Sequence, residues 1–341
     1  MRKKIFTIVF AAFILFVLYF SGLLFDIFRV PIVEQGVSTS VKVYPNEKLS
    51  TLAQTLHQKK LIRYPGLFQW VVELTNNEYA LRFGEYEIKY PMTAWQLLQH
   101  ITHGTYLVKH RFTIVNGWTF DQVREALLSN TDLDQTLPAQ SNQAVLKTLQ
   151  SPQAHIEGLF YPDTYFFTWG NSDISVLKTA YQKMQALLQK EWENRAANLP
   201  YQNMYQALIV ASLIEKETSV VSEKPLIASV IMNRLAKKMR LQIDPTVQYG
   251  LNKTFGGPIT MKDLRTKTPY NTYLMNGLPP TPICIPNQSS IEAALHPATT
   301  DYLYYVATGD GGHHFSKSYQ EHLIQVKSYR DTLKASASAG K

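Results

Sequence analysis

The sequence predicts a mixed helix-and-strand protein of two folded units behind a single membrane-spanning helix, and three observations predict it. A chain of 341 residues exceeds what one small core usually needs. Its first thirty residues hold an uncharged apolar run long enough to cross a bilayer. The remainder has the composition of packed cores, with 45% hydrophobic, 12% aromatic and 18% charged residues overall, and helical and strand-like patterns alternate along it.

Ile5 to Phe25 is twenty-one residues without a charge, preceded by Arg2, Lys3 and Lys4. Asp26 opens the far flank, where Arg29 is the nearest cation, so the positive-inside bias puts the N-terminus in the cytoplasm and everything beyond Phe25 outside it. A cleaved signal peptide is the competing reading, but the run is longer than a usual h-region and no A-x-A-like site follows. The expected organisation is a cytoplasmic tail at 1–4, a transmembrane helix at 5–25, a linker at 26–40, a small module at 41–107, a larger domain at 108–334 and a flexible tail at 335–341.

The net charge of +8 suits an anionic neighbour. Topology removes nucleic acid from the candidates and leaves phospholipid headgroups and a carboxylate-bearing cell-wall polymer; plain solubility is the bland alternative. The lone Cys284 excludes an intrachain disulfide and a Cys-based zinc site.

In the small module, Val41 to Tyr44 reads as a short strand, Leu49 to Lys60 as a helix with Leu52, Ala53 and Leu56 on one face, Pro65 as the opening of a helix through Leu74, and Gly84 to Tyr90 as an alternating strand. Thr93 with Gln96 and Thr119 with Gln122 are capping boxes, and Met92/Leu97 and Trp118/Val123 occupy hydrophobic-staple positions. Tyr106 to Val115 reads as a strand ending in an Asn116-Gly117 turn. Beyond it, helices are expected over Ile174 to Trp192, Met204 to Val220, Lys224 to Lys238 and Ser290 to Leu295. No repeat of 20 to 50 residues occurs.

P-loop, G-x-G-x-x-G, H-E-x-x-H and G-x-S-x-G motifs are all missing from the sequence, which leaves carboxylate chemistry. The helix Met204 to Val220 (MYQALIVASLIEKETSV) carries Glu215 and Glu217, and two positions on a helix put them about 200° apart, so one site does not use both. One turn back from Glu217 lie Leu213 and Ile214, with Val210 and Ile209 beyond; one turn back from Glu215 lie Ala211 and Ser212. Apolar neighbours desolvate a carboxylate and raise its pKa, which suits Glu217 to donate a proton. Two ordinary solvated glutamates near a helix end are the alternative.

From Glu157 to His322 the sequence closely resembles the endolytic murein transglycosylase (YceG-like) family. The resemblance rests on EGLFYPDTYFF (Glu157 to Phe167), ASLIEKET (Ala211 to Thr218), ASVIMNRL (Ala228 to Leu235), MRLQIDPTVQYG (Met239 to Gly250), PYNTYLMNGLPPTPI (Pro269 to Ile283) and GGHHF (Gly311 to Phe315). It implies an α+β catalytic domain preceded by a LysM-like α/β subdomain, with the second glutamate of E-K-E-T, here Glu217, as the catalytic residue. It further implies a lyase that cuts the N-acetylmuramic acid to N-acetylglucosamine bond within peptidoglycan strands, leaves 1,6-anhydro ends, and works from the cytoplasmic membrane on the periplasmic side, alongside peptidoglycan synthases. The chain departs from the family pattern at Thr281, Ile285 and Asn287, in the loop around Cys284.

Candidate substrate contacts are Glu215, Asn233, Arg234, Tyr270, Asn271, Tyr273 and His313, with Tyr161 and Asp163 of the first motif. Arg234 is expected to pair with Glu215 or with a substrate carboxylate. Tyr270, Asn271, Thr272 and Tyr273 offer the aromatic faces, hydroxyls and amide of a sugar cleft, or form a turn before the GLPP segment. Asp244-Pro245-Thr246 reads as a turn with Asx-type capping. His313, His314 and His322 raise zinc, but adjacent histidines without an acidic or Cys cluster do not match zinc spacing, so no metal and no cofactor is expected. Two rival functions remain: a hydrolytic muramidase with Asp163 or Asp244 as the second carboxylate, and a non-catalytic glycan-binding scaffold.

Overall fold

The computed structural model describes residues 2–75, 81–137, 140–309 and 311–339. The chain divides into two compact units, one of residues 1–110, 132–134 and 166–171 and one of residues 111–131, 135–165 and 172–341.

The first unit opens with α1 (Arg2–Arg29), a helix long and apolar enough to cross a membrane. Its apolar side chains are exposed over most of its length, whereas Ile27 and Leu24 join the unit's core. The segment expected to be a linker is partly structured. Ile32 N–H donates to Met92 O at 2.9 Å, Ile32 and Val33 pack on the core, and β1 begins at Ser38, because the backbone groups of this stretch find partners in the module.

β1 (Ser38–Val43) and β2 (Gly84–Lys89) pair antiparallel, Val41 opposite Tyr86. Their inward residues Val41, Val43, Tyr86 and Ile88 meet Leu52 and Leu56 of α2 (Leu49–Gln58), Phe68 and Val72 of α3 (Pro65–Leu74) and Leu97, Leu98 and Ile101 of α4 (Ala94–His103). The Thr93–Gln96 capping box forms with both reciprocal bonds, and Gly104 ends α4 in the left-handed region at φ 68°.

A two-stranded ribbon of β3 (Lys109–Thr113) and β4 (Thr164–Thr168) follows, with β3 shorter than the strand expected over Tyr106 to Val115. The second capping box, Thr119 with Gln122, starts α5 (Phe120–Leu128), and Ser141 caps α6 (Asn142–Thr148). The second unit is built around α8 (Met204–Glu217), whose residues Ala207 to Ile214 are all buried. A helix apolar on every side belongs inside a domain, and α8 packs against α7 (Asp173–Glu193), α9 (Lys224–Ala236), α10 (Asp244–Gly250) and α12 (Gln288–Leu295). Asn203 caps α8 by accepting from Gln206 N–H, and extended backbone at Thr218 ends it. This leaves Glu217 as the last helical residue.

The remaining elements are α11 (Met261–Arg265), the antiparallel pair β5 (Tyr304–Ala307) and β6 (His313–Ser316), and α13 (Tyr319–Ala339). The tail expected to fray from Ala335 continues α13 as far as Ala339; residues 340 and 341 lie outside the described residues.

Candidate active site

The last turn of α8 sends its two glutamates into different surroundings. Glu215 is enclosed, its side chain 4% exposed. It accepts from Lys224 Nζ at 3.2 Å, Ser290 Oγ at 2.6 Å, the Asn287 backbone N–H at 3.2 Å and Asn116 Nδ2. Lys224 is as buried as its partner and donates also to Asn287 Oδ1 and Ser289 Oγ, both at 3.0 Å. The expected pairing of Arg234 with Glu215 is therefore corrected. The ammonium of Lys224 is Glu215's counter-charge, and both oxygens of that carboxylate are bonded within the protein.

Glu217 keeps some exposed surface while protein atoms crowd its carboxyl. Burial lifts it to about 7; the hydrogen bond from the Tyr305 hydroxyl lowers it, nearby Asp244 raises it and Arg234 lowers it. Its place at the C-terminal end of α8, where unpaired carbonyls gather negative potential, also disfavours ionisation. The result is a carboxyl poised to carry or release a proton near neutral pH.

The groups around it are themselves anchored. Arg234, 8% exposed, donates from Nε to Leu303 O and from Nη1 to Leu241 O, both at 2.7 Å, and lies over the Tyr304 ring at 5.2 Å. It is a buried cation held by backbone carbonyls and within electrostatic reach of Glu217. Tyr273 donates its hydroxyl to Asp244 Oδ1 at 2.5 Å. Asp244 opens α10 with no side-chain cap bond, so the expected Asx-capped turn is replaced by a helix start whose carboxylate is turned to Tyr273.

His313 stands edge-on to Tyr305 with ring centroids 5.5 Å apart. Its Nδ1 and backbone N–H each lie 2.8 Å from the Glu223 carboxylate, and Thr218 Oγ1 reaches the same carboxylate at 3.2 Å. Burial works against ionised Glu223, but its bonds from His313 and Thr218 outweigh that and hold it below the usual carboxylate range. A chain of contacts thus runs from Thr218, next to Glu217, through Glu223 and His313 to Tyr305, which returns to Glu217.

Beside this cluster lies a cavity of about 290 Å³ lined by Arg234, Gln242, Tyr273, Tyr304, Tyr305 and His322, among others. Aromatic faces with a few polar groups suit a sugar ring. His322 Nδ1 is buried and has no hydrogen-bond partner among the described residues.

The other candidates divide. Asn233, the residue before Arg234 on α9, spends Nδ2 on Thr300 O and Tyr302 O, fixing the approach to β5. Asn271 is fully buried and donates to Leu264 O and Thr266 O, so it clamps a loop and offers nothing to a substrate. Tyr270 bonds Thr281 Oγ1 at 2.9 Å and packs on Tyr249, away from Glu217's partners. Tyr161 and Asp163 form a separate group with Lys183, whose ammonium pairs with Asp163 and lies 4.7 Å over the Tyr161 ring. Asp163 is therefore not a partner of Glu217, whereas Asp244 is an electrostatic one. Sequence reasoning missed Tyr305 and Glu223, which belong to no local pattern, and Glu157, a 7% exposed carboxyl that burial lifts to about 7 against its bonds from Tyr249, Phe120 N–H and Gly158 N–H.

The YceG-like family matches residues 41–328, and the chain belongs to that family. It is similar to the endolytic murein transglycosylase of Bacillus subtilis, with 29% identity over 316 residues that cover 87% of this chain and 86% of the relative. It is similar also to the protein of that name in Streptococcus pneumoniae, at 24% identity over 83% of this chain and 57% of the relative. A crystal structure of a YceG-like protein from Listeria monocytogenes superposes with a TM-score of 0.54 and 30% identity, covering 84% of this chain and 98% of that one. The fold is thus a YceG-like one.

Proposed function

We propose that this chain is a membrane-anchored murein transglycosylase in which Glu217 acts first as acid and then as base. The observation that carries the reading is the Glu217 carboxyl, lifted to about 7, bonded to Tyr305 and set beside an aromatic cavity. The names of the relatives supply the substrate class.

Protonated Glu217 gives its proton to the oxygen joining N-acetylmuramic acid to N-acetylglucosamine, and the C1–O bond breaks. The charge that develops at C1 is supported by the substrate's own acetamido group. The Glu217 carboxylate then takes the proton of the C6 hydroxyl as O6 bonds to C1, which closes a 1,6-anhydro ring without consuming water. Tyr305 orients the carboxyl through both protonation states, and buried Arg234 stabilises the ionised one. The cycle as written needs no metal or cofactor, so chelation leaves the rate unchanged.

One observation favours a hydrolytic muramidase as the second reading. Asp244 lies within electrostatic reach of Glu217 and could activate a water. Mass spectrometry of fragments released from purified sacculi separates the two: transglycosylase products are lighter by one water than muramidase products. Helix α1 would hold the enzyme in the cytoplasmic membrane with its N-terminus inside, and the module of residues 41–107, read as LysM-like, would meet nascent strands near their synthases.

A further inference from the structure

A cavity of about 500 Å³ in the second unit is distinct from the one at Glu217. It is lined by the Asn116 to Thr119 loop, Glu157, Lys216, Asn252, Thr254 and Phe255, among others. Lys216 is the residue before Glu217, so about 100° of helix rotation separates the two side chains. A polymer whose backbone lies at Glu217 has this cavity within reach of a branch.

Lys216 is unusual among the interior cations of this unit. Lys224 and Arg234 spend their donors on carboxylate, amide or carbonyl oxygens. Among the described residues Lys216 has neither an ion pair nor a hydrogen bond. Its ammonium lies 3.7 Å over the centre of the Phe255 ring, and a Cβ built on Gly117 would stand 3.4 Å from it. Partial burial lowers its pKa, while Glu215 and Glu157 act on it only at a distance. Both acids are committed elsewhere, Glu215 to Lys224 and Glu157 to Tyr249 and two backbone N–H groups. A half-desolvated cation with unused donors, braced on an aromatic face at a cavity wall, is a site for a carboxylate. Asn252 and Thr254, both exposed on the same wall, add amide and hydroxyl groups of the kind that bond peptide units.

We propose that this cavity receives the peptide stem of the murein strand, with Lys216 taking a stem carboxylate. The proposal rests on the reading of the chain as a murein-cleaving enzyme. It makes the branched strand, and not the bare glycan, the preferred substrate.

The test uses the full chain in detergent micelles, given strands of equal length either bearing their stems or enzymatically stripped of them. Wild-type protein is expected to prefer stem-bearing strands. Lys216→Met keeps the side chain's length and removes its charge, and should lower that preference roughly tenfold through KM. Lys216→Arg should retain most of it. Asn252→Asp sets a negative charge on the exposed rim without touching the core and should act in the same direction as Lys216→Met. A wild-type enzyme indifferent to stems, or a Lys216→Met protein with its preference intact, overturns the proposal. If neither kind of strand is cut, the reading as an enzyme is what has failed. Calorimetry with a free tetrapeptide stem then still decides: binding weakened by Lys216→Met supports the site, and equal or undetectable binding by both proteins overturns it.

Discussion

Two residues apart on one helix, Glu215 and Glu217 are the same chemical group in opposite situations. Glu215 is closed off by four donors, one of them the buried Lys224 ammonium, so its geometry is fixed. Glu217 has one hydroxyl bond, a cation at a distance, a nearby carboxylate and an aromatic cavity beside it. The bonded carboxylate of Glu215 joins α8 to α9 and α12 through Lys224 and Ser290, whereas burial lifts the sparsely bonded Glu217 to about 7, where it can exchange its proton. The comparison teaches that burial alone does not make a catalytic acid. What sets Glu215 apart from both Glu217 and the equally lifted Glu157 is a buried cation in direct contact with its carboxylate.

The contrast can be broken from either side. Glu217→Gln removes the titratable proton and should lower kcat by roughly 10²–10⁴, measured on strands at saturation, with folding intact. Glu215→Gln should act on stability instead. It leaves Lys224 buried without its counter-charge, at about 3–5 kcal/mol, read from urea unfolding of the full chain. The pH dependence of stability sharpens the difference. Glu217 and Glu157 move from 4.5 to about 7, so the folded state holds protons that the unfolded chain has shed between those values. Stability should therefore fall as pH rises from about 4.5 to 7, by on the order of 3 kcal/mol for each group. Glu217→Gln should remove its share of that slope and unfold at higher temperature than wild type at pH 8. Tyr305→Phe is the smallest of these changes. Losing a bond that favours the ionised form should raise the Glu217 pKa further, lower kcat by up to about tenfold and move the alkaline limb of the rate profile to higher pH.

Much of the framework was legible because its signals are local. The two T-x-x-Q capping boxes, the apolar run through α8 and the spacing that sends its glutamates to opposite faces all act within a few residues, and the elements they mark are present. The surroundings of the site were less legible, because they depend on which distant segment arrives. Tyr305 reaches Glu217 only because β5 is held there by Asn233 and Arg234, which bond the carbonyls leading into it. The Pro269 to Ile283 segment shows the limit of composition: its amide and hydroxyl mixture suited a sugar cleft, yet Asn271 and Thr272 are turned inward to bond Leu264, Thr266 and Ile243. Which way a polar side chain points is decided by the backbone groups that would otherwise be left unpaired.

The central claim is that one proton, on Glu217, controls the reaction. Its most direct test is the pH dependence of kcat/KM on sacculus-derived strands for wild type, Glu215→Gln and the residual activity of Glu217→Gln, since that ratio reports the free enzyme's ionisations. The account predicts an alkaline limb near pH 7 in wild type, the same limb in the folded fraction of Glu215→Gln, and a profile without it in Glu217→Gln. A limb that persists in Glu217→Gln, or that disappears in Glu215→Gln, would contradict it.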